Sequence, residues 1–180
     1  MLFDRQLTDN LKKYLNKNKA IIIYGPRQVG KSTLVKTLQG NYQNSKYLDG
    51  EDFNIQERLQ TPNLRDLRNW YPGLDLLIID EAQKIPNIGS TLKLLVDHFK
   101  DMQVIALGSS SFDLANKLNE PLTGRKYTFT LYPISLYELS KQQEIYQVNQ
   151  QLEDFLIYGM YPEILTSQPD LRERNLYQFY

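Results

Sequence analysis

The sequence predicts a three-layer α/β fold in which a central, mostly parallel five-stranded sheet lies between helices, with a small helical segment at the C-terminal end. Three observations predict it. Five short apolar or alternating runs are separated by stretches with helical spacing, the pattern of right-handed crossovers over a sheet covered on both faces. The first run leads into Gly25-Pro26-Arg27-Gln28-Val29-Gly30-Lys31-Ser32 and then into a helical stretch, the strand, loop and helix order of a phosphate-binding P-loop. A later run, Leu76-Leu77-Ile78-Ile79, ends in the paired acids Asp80 and Glu81, at the edge where parallel sheets bind ligands.

Taken in order, Leu7 to Lys17 reads as a leading helix, Ala20 to Tyr24 as a buried strand and Ser32 to Leu38 as the helix after the P-loop. Tyr47 to Asp49 is a short strand candidate, followed by a helix from Phe53 to Leu59. A turn at Trp70-Tyr71-Pro72-Gly73 precedes Leu74 to Ile79, a run too apolar to have a wet face and therefore a central strand. Ile88 to Lys100 is helical, Gln103 to Leu107 is another buried strand, Phe112 to Leu118 is a short helix, and Lys126 to Leu131 alternates aromatics as a last strand. From Pro133 onward Leu, Glu, Gln and Tyr recur at helical spacing with no further strand. Residues 1–132 thus form the expected core and residues 133–180 an incomplete lid-like helical segment.

Composition narrows the function classes. The 180 residues carry 21 basic and 21 acidic side chains, so no global charge argues for nucleic acid, although neutrality leaves room for a local patch. Lys12, Lys13, Lys17 and Lys19 read as a solvated helix face. The absence of cysteine removes disulfides and Cys-type zinc sites and suits a reducing cytoplasm. His98 is the only histidine, and no apolar run approaches the roughly 18 residues of a membrane span.

The motifs define a nucleotide chemistry. Two glycines let the loop curl so that the backbone of Gly25 to Thr33, spanning Pro26, Arg27, Gln28, Val29, Gly30, Lys31 and Ser32, surrounds a phosphate at a helix N-terminus. Lys31 is placed to reach the β- and γ-phosphates, and Ser32 to coordinate magnesium. Asp80 would hold the same ion, through water or Ser32. Glu81 is then free to orient and polarise an attacking water. Ser109 and Ser110, in Gly108-Ser109-Ser110-Ser111 after the fourth strand, are candidates for contact with the γ-phosphate or that water; the alternative is a Ser-rich helix cap. Arg125 is a candidate arginine finger, with a plain surface arginine as its alternative. The acidic turn of Asp49, Glu51 and Asp52 reads as helix capping.

In this order, GPRQVGKST, YLDGED, LLIIDEAQKIPNI, GSSSFDLANKL, LTGRK, LYPISLYEL and YGMYPEI resemble the prokaryotic AAA+ family ATPases whose AAA domain precedes a second domain. The resemblance runs from about Arg5 to about Leu165. It implies a P-loop NTPase with strand order 5-1-4-3-2 and the cofactors ATP and Mg2+, while a protein partner or self-association is left open by the residues. It further implies Walker A at Gly25 to Ser32, Walker B at Asp80 and Glu81, sensor 1 at Ser109 or Ser110, and a γ-phosphate contact at Arg125. Met160 stands where the family usually has a second glycine. The chain also ends at Tyr180 within a predicted helix while its relatives continue through a further domain, so a truncated form is expected.

Rival readings are weaker. A GTPase needs N-K-x-D, and Asn116-Lys117-Leu118-Asn119 has an amide in place of the acid. A P-loop kinase has no use for a water-activating Glu81. Asp80-Glu81-Ala82-Gln83 is similar to helicase motif II, but a chain of this size does not supply two motor domains. The expected function is therefore ATP hydrolysis driving a conformational switch, with a nucleotide-dependent switch or interaction module of negligible turnover as the alternative.

Overall fold

A computed structural model describes residues 2–109, 117–118, 121–168 and 172. Among them, β1 (Ala20–Tyr24), β2 (Ser45–Asp49), β3 (Leu76–Asp80), β4 (Gln103–Gly108) and β5 (Lys126–Thr130) form one sheet in the order β2-β3-β4-β1-β5. Every pairing is parallel. This is the expected order 5-1-4-3-2 read from the opposite edge.

Strand alternation builds the layers. Side chains point to opposite faces at successive positions. Ala20, Ile22, Leu77, Ile79, Val104 and Ala106 therefore share one buried cluster, and Ile21, Ile23, Leu76, Ile78, Ile105 and Leu107 the other. β1, β3 and β4 are apolar on both faces because both are covered. Each fully buried Ile or Leu there contributes roughly 1.5–3 kcal/mol.

The first cluster is closed by α3 (Phe53–Gln60), α4 (Leu64–Trp70) and α5 (Ile88–His98), whose Leu59, Leu67, Ile88, Leu92 and Leu95 are buried. Spacing of 3, 4 and 7 residues along α5 puts Ile88, Thr91, Leu92 and Leu95 on one stripe. The second cluster is closed by Leu11 of α1 (Gln6–Lys12) and by Leu34, Val35 and Leu38 of α2 (Lys31–Gln39).

Two differences from expectation have local causes. The leading helix stops at Lys12, well before Lys17, because Asn16 and Asn18 adopt left-handed φ values of 57° and 54°, which a helix cannot continue through. Helix α4 was not expected from the sequence. Its apolar pattern is thin, but Asn63 caps it by accepting the Asp66 amide at 2.9 Å. Apart from Lys117 and Leu118, the expected helix Phe112 to Leu118 lies outside the described residues.

Beyond β5 come α6 (Leu136–Ser140), α7 (Ile145–Gln150), α8 (Leu152–Tyr158) and α9 (Pro162–Thr166). Ile134, Leu139, Val148 and Phe155 make a third small cluster, to which the N-terminal segment adds Phe3. Helix α6 starts with a capping box in which Ser135 and Glu138 satisfy each other's backbone amides.

Candidate active site

The C-terminal edge of the sheet gathers the ends of β1, β3 and β4. After β1 the chain bends through left-handed Gln28 (φ 60°) and Gly30 (φ 98°) before α2 begins. Gly25 accepts no side chain, since a Cβ there would lie 2.3 Å from the Leu131 carbonyl at the end of β5. No side chain caps α2, so the amides of its first turn are left for an anion. Helices α3, α4 and α6 are capped by Asp52, Asn63 and Ser135, while α1, α5, α7, α8 and α9 share with α2 the lack of a side-chain cap.

Lys31 is only 6% exposed and donates from Nζ to the carbonyls of Gly25 at 2.8 Å and Pro26 at 2.9 Å. Burial lowers its pKa, while the Glu81 and Asp80 carboxylates work against that shift. Ser32 donates from Oγ to Asp80 Oδ2 at 2.6 Å, joining α2 to β3. The same carboxylate oxygen accepts the Tyr47 hydroxyl from β2, and Asp80 Oδ1 accepts the Glu81 amide at 2.9 Å. Burial, followed by the Asp80 carboxylate, raises the pKa of Tyr47.

Glu81 takes a left-handed backbone (φ 44°) before a 3-10 turn at Ala82–Lys84. Its Oε2 accepts from Ser109 Oγ at 2.9 Å and from the amide of Gln83, which also donates to Ser109 at 2.9 Å. Gln83 is buried, and its Oε1 has no hydrogen-bond partner among the described residues. Gly50, after β2, packs against this turn and donates to the Asp80 carbonyl at 2.8 Å.

Two clefts meet at Gly30. One, of about 500 Å³, is lined by Arg27, Gln28, Gly30, Lys31, Ser32, Thr33, Glu51 and Glu81. The other, of about 420 Å³, is lined by Phe3, Arg5, Thr33, Leu34, Thr37, Ile134 and Pro162 among others, besides Gly30 itself. The sequence-derived set Gly25 to Thr33, Asp80, Glu81 and Ser109 is therefore assembled on one edge. Ser110 lies outside the described residues.

The structure does not bring Arg125 to this edge. It precedes β5, whose Lys126 aligns with Ala20 at the start of β1, so about 16 Å of strand separates it from the P-loop side. There its Nε donates to Asp97 Oδ1 at 2.7 Å, and this hydrogen bond holds the Asp97 carboxyl below the usual range.

Sequence reasoning missed Arg5, Tyr47, Gln83 and Gly50. Arg5 and Tyr47 reach the site only through contacts 24 and 33 residues away in the chain, which no local motif records. Gln83 had a signal, its position two residues after Glu81.

Comparison with known proteins agrees with this geometry. Uncharacterised proteins of Mycobacterium bovis and Mycobacterium tuberculosis are 35% identical over 128 residues, covering 69% of this chain and 28% of each relative. The chain thus matches little more than a quarter of those relatives' length. Among solved structures, the Walker-type ATPase PABY2304 of Pyrococcus abyssi superposes with a TM-score of 0.65 at 14% identity, covering 98% of this chain and 72% of that one. A signal transduction ATPase with numerous domains and a tetratricopeptide repeat sensor, PH0952 of Pyrococcus horikoshii, gives 0.55 at 12% identity, with 100% of this chain and 32% of that one covered. At such identities the two share its fold. The AAA domain family model matches residues 17–140, well over half of the sequence. The chain, an α/β P-loop domain with an all-parallel five-stranded sheet, belongs to the AAA domain family.

Proposed function

We propose that this domain binds ATP with magnesium and hydrolyses it by attack of water on the γ-phosphate. The observation that carries the reading is the joining of three motifs at one edge: the uncapped α2 N-terminus with Lys31, the Ser32 to Asp80 contact, and Glu81 held by Gln83 and Ser109.

The triphosphate would lie in the cleft of about 500 Å³, with the backbone N–H groups of Gly25 and of Arg27 to Thr33 and the Lys31 ammonium as donors. The adenosine would lie in the adjoining cleft, where Phe3, Leu34, Ile134 and Pro162 offer apolar walls. Ser32 and Asp80 provide hard oxygen donors 2.6 Å apart, a donor set that fits magnesium, which also takes phosphate oxygens as ligands. When bound, the ion supplies charge neutralisation at the β- and γ-phosphates. Glu81 faces the same cleft as Lys31, where its carboxylate would orient the attacking water and accept its proton. Ser109 would report that event to the end of β4.

Residues 1–132 act in this reading as the nucleotide-binding core and residues 133–180 as a lid that changes position with the nucleotide. The output of the switch falls on a protein partner or another copy of the chain. The experiment is a turnover assay of parent and Glu81→Gln proteins. The reading gives measurable parental hydrolysis and a loss of roughly two to four decades in the variant, with ATP binding retained. Equal turnover would remove Glu81 from the chemistry, and tight ATP binding with no turnover by either protein would favour the switch alone.

A further inference from the structure

We propose that Arg5 is a positioning residue for phosphate recognition: by holding the Val29 carbonyl on the side of the adjoining cleft, it turns the Gly30 N–H toward the phosphate cleft. The proposal rests on the P-loop reading above. The Arg5 side chain is 7% exposed, and its guanidinium is divided among three partners. Nη1 donates to Val29 O at 2.9 Å, Nη2 to Tyr132 O, and Nε to Glu138 Oε1 at 3.2 Å.

The effect on the loop follows from peptide geometry. A trans peptide is planar, so the carbonyl of Val29 and the N–H of Gly30 lie in one plane and point in opposite directions. Gly30 borders both clefts, whereas Arg5 borders only the adjoining one. A carbonyl drawn toward Arg5 therefore sends the next N–H the other way. The restraint matters at this peptide because Gly30, at φ 98° and without a Cβ, has a wider choice of conformations than its neighbours.

Glu138 anchors the arginine in turn. Its Oε1 also accepts the Gln6 amide at 2.8 Å, and its Oε2 accepts the Ser135 amide at 2.9 Å. Burial alone would raise the Glu138 carboxyl, but these amides and the Arg5 guanidinium hold it below the usual range. The chain runs Glu138, Arg5, Val29, Gly30, so the first turn of α6 is tied to the phosphate loop. Arginine suits this place because its planar fork serves three separate acceptors at fixed angles, which a lysine ammonium does not reproduce.

The test is calorimetric titration of the full chain with ATP and, separately, with inorganic pyrophosphate, for parent, Arg5→Lys, Glu138→Gln and the double variant. Arg5→Lys is expected to raise Kd for both probes by about tenfold or more at unchanged stoichiometry, as for losing a charge-assisted contact. Glu138→Gln should raise both by a smaller factor, and the double variant should be little worse than Arg5→Lys because the two act through one contact. Lower stoichiometry with parental Kd would show a purely structural role and overturn the proposal, as would parental Kd in a fully folded Arg5→Lys protein. If Arg5→Lys does not fold, Glu138→Gln carries the test, and parental pyrophosphate affinity there overturns it. A parent that binds neither probe refutes the P-loop reading instead.

Discussion

Gly50→Ala should damage the acidic end of β3 from a neighbouring strand. A Cβ at Gly50 would lie 2.6 Å from the Glu81 carbonyl oxygen and 2.7 Å from that of Asp80. Relaxed heavy-atom contact needs about 3.5 Å, so the shortfall is about 0.9 Å against two backbone atoms at once. Neither atom can yield freely. Asp80 is fixed in the ladder with β2, and Glu81 already holds a left-handed backbone at φ 44°. Overpacking of this kind costs about 1–3 kcal/mol. For a domain of this size that corresponds to a melting temperature lower by about 2–12 °C. Any relief moves the Asp80 or Glu81 backbone, so magnesium-dependent ATP turnover should fall as well. Gly40→Ala is the control. Its φ is −59° and its Cβ would meet nothing nearer than the Thr37 carbonyl at 3.7 Å, so it should be neutral or stabilising by up to about 1 kcal/mol. Denaturant midpoints of the two variants measure the difference. A Gly50→Ala protein with the parental midpoint would refute the packing argument.

Two further outcomes are expected. Arg125→Ala removes an ion pair whose side chains are 39% and 31% exposed, so stability should change by less than about 1 kcal/mol. Monomeric variant protein should hydrolyse ATP at the parental rate, and a loss of more than about tenfold would give Arg125 a role its position within one chain does not provide. Glu138 binds its proton less readily in the folded chain than unfolded, so its contribution to stability is complete above the ordinary value of 4.5 and is lost as pH falls through the lower folded value. Glu138→Gln should therefore show a shallower acid loss of stability than the parent, measured by denaturant melts across that window, and parallel curves would remove the contribution assigned to Glu138.

The parts of the site written contiguously in the chain were legible. Gly25 to Thr33 had to be continuous because one loop and one helix turn wrap one phosphate group, and Asp80 with Glu81 closes an apolar strand that has no wet face. β1, β3 and β4 were legible for the same reason, as runs buried on both sides. What did not show was whatever depends on packing between distant segments. Arg5 meets Glu138 across 133 residues, and Tyr47 meets Asp80 across 33. Nothing in the neighbourhood of either residue announces the contact. That Arg125 lies away from the P-loop of its own chain did not show either, because a sequence gives the strand it precedes but not which end of the sheet it occupies. Strand direction settles that, and the start of a parallel strand lies away from the ligand edge. Helix α4 was missed because Leu64 and Leu67 alone make a faint stripe, and its definition comes from the Asn63 cap.

The central claim, that the β1 to α2 loop is an ATP site served by Lys31, is most directly tested by calorimetric titration of ATP with magnesium into parent and Lys31→Ala proteins. Among the described residues Lys31 bonds to the Gly25 and Pro26 carbonyls, and burial disfavours its charge, so its removal should leave the fold intact. One ATP per parent chain is expected, with a loss of affinity of about a hundredfold or more in the variant, since two or more charge-assisted phosphate contacts disappear. A folded Lys31→Ala protein that binds ATP as tightly as the parent would contradict the claim.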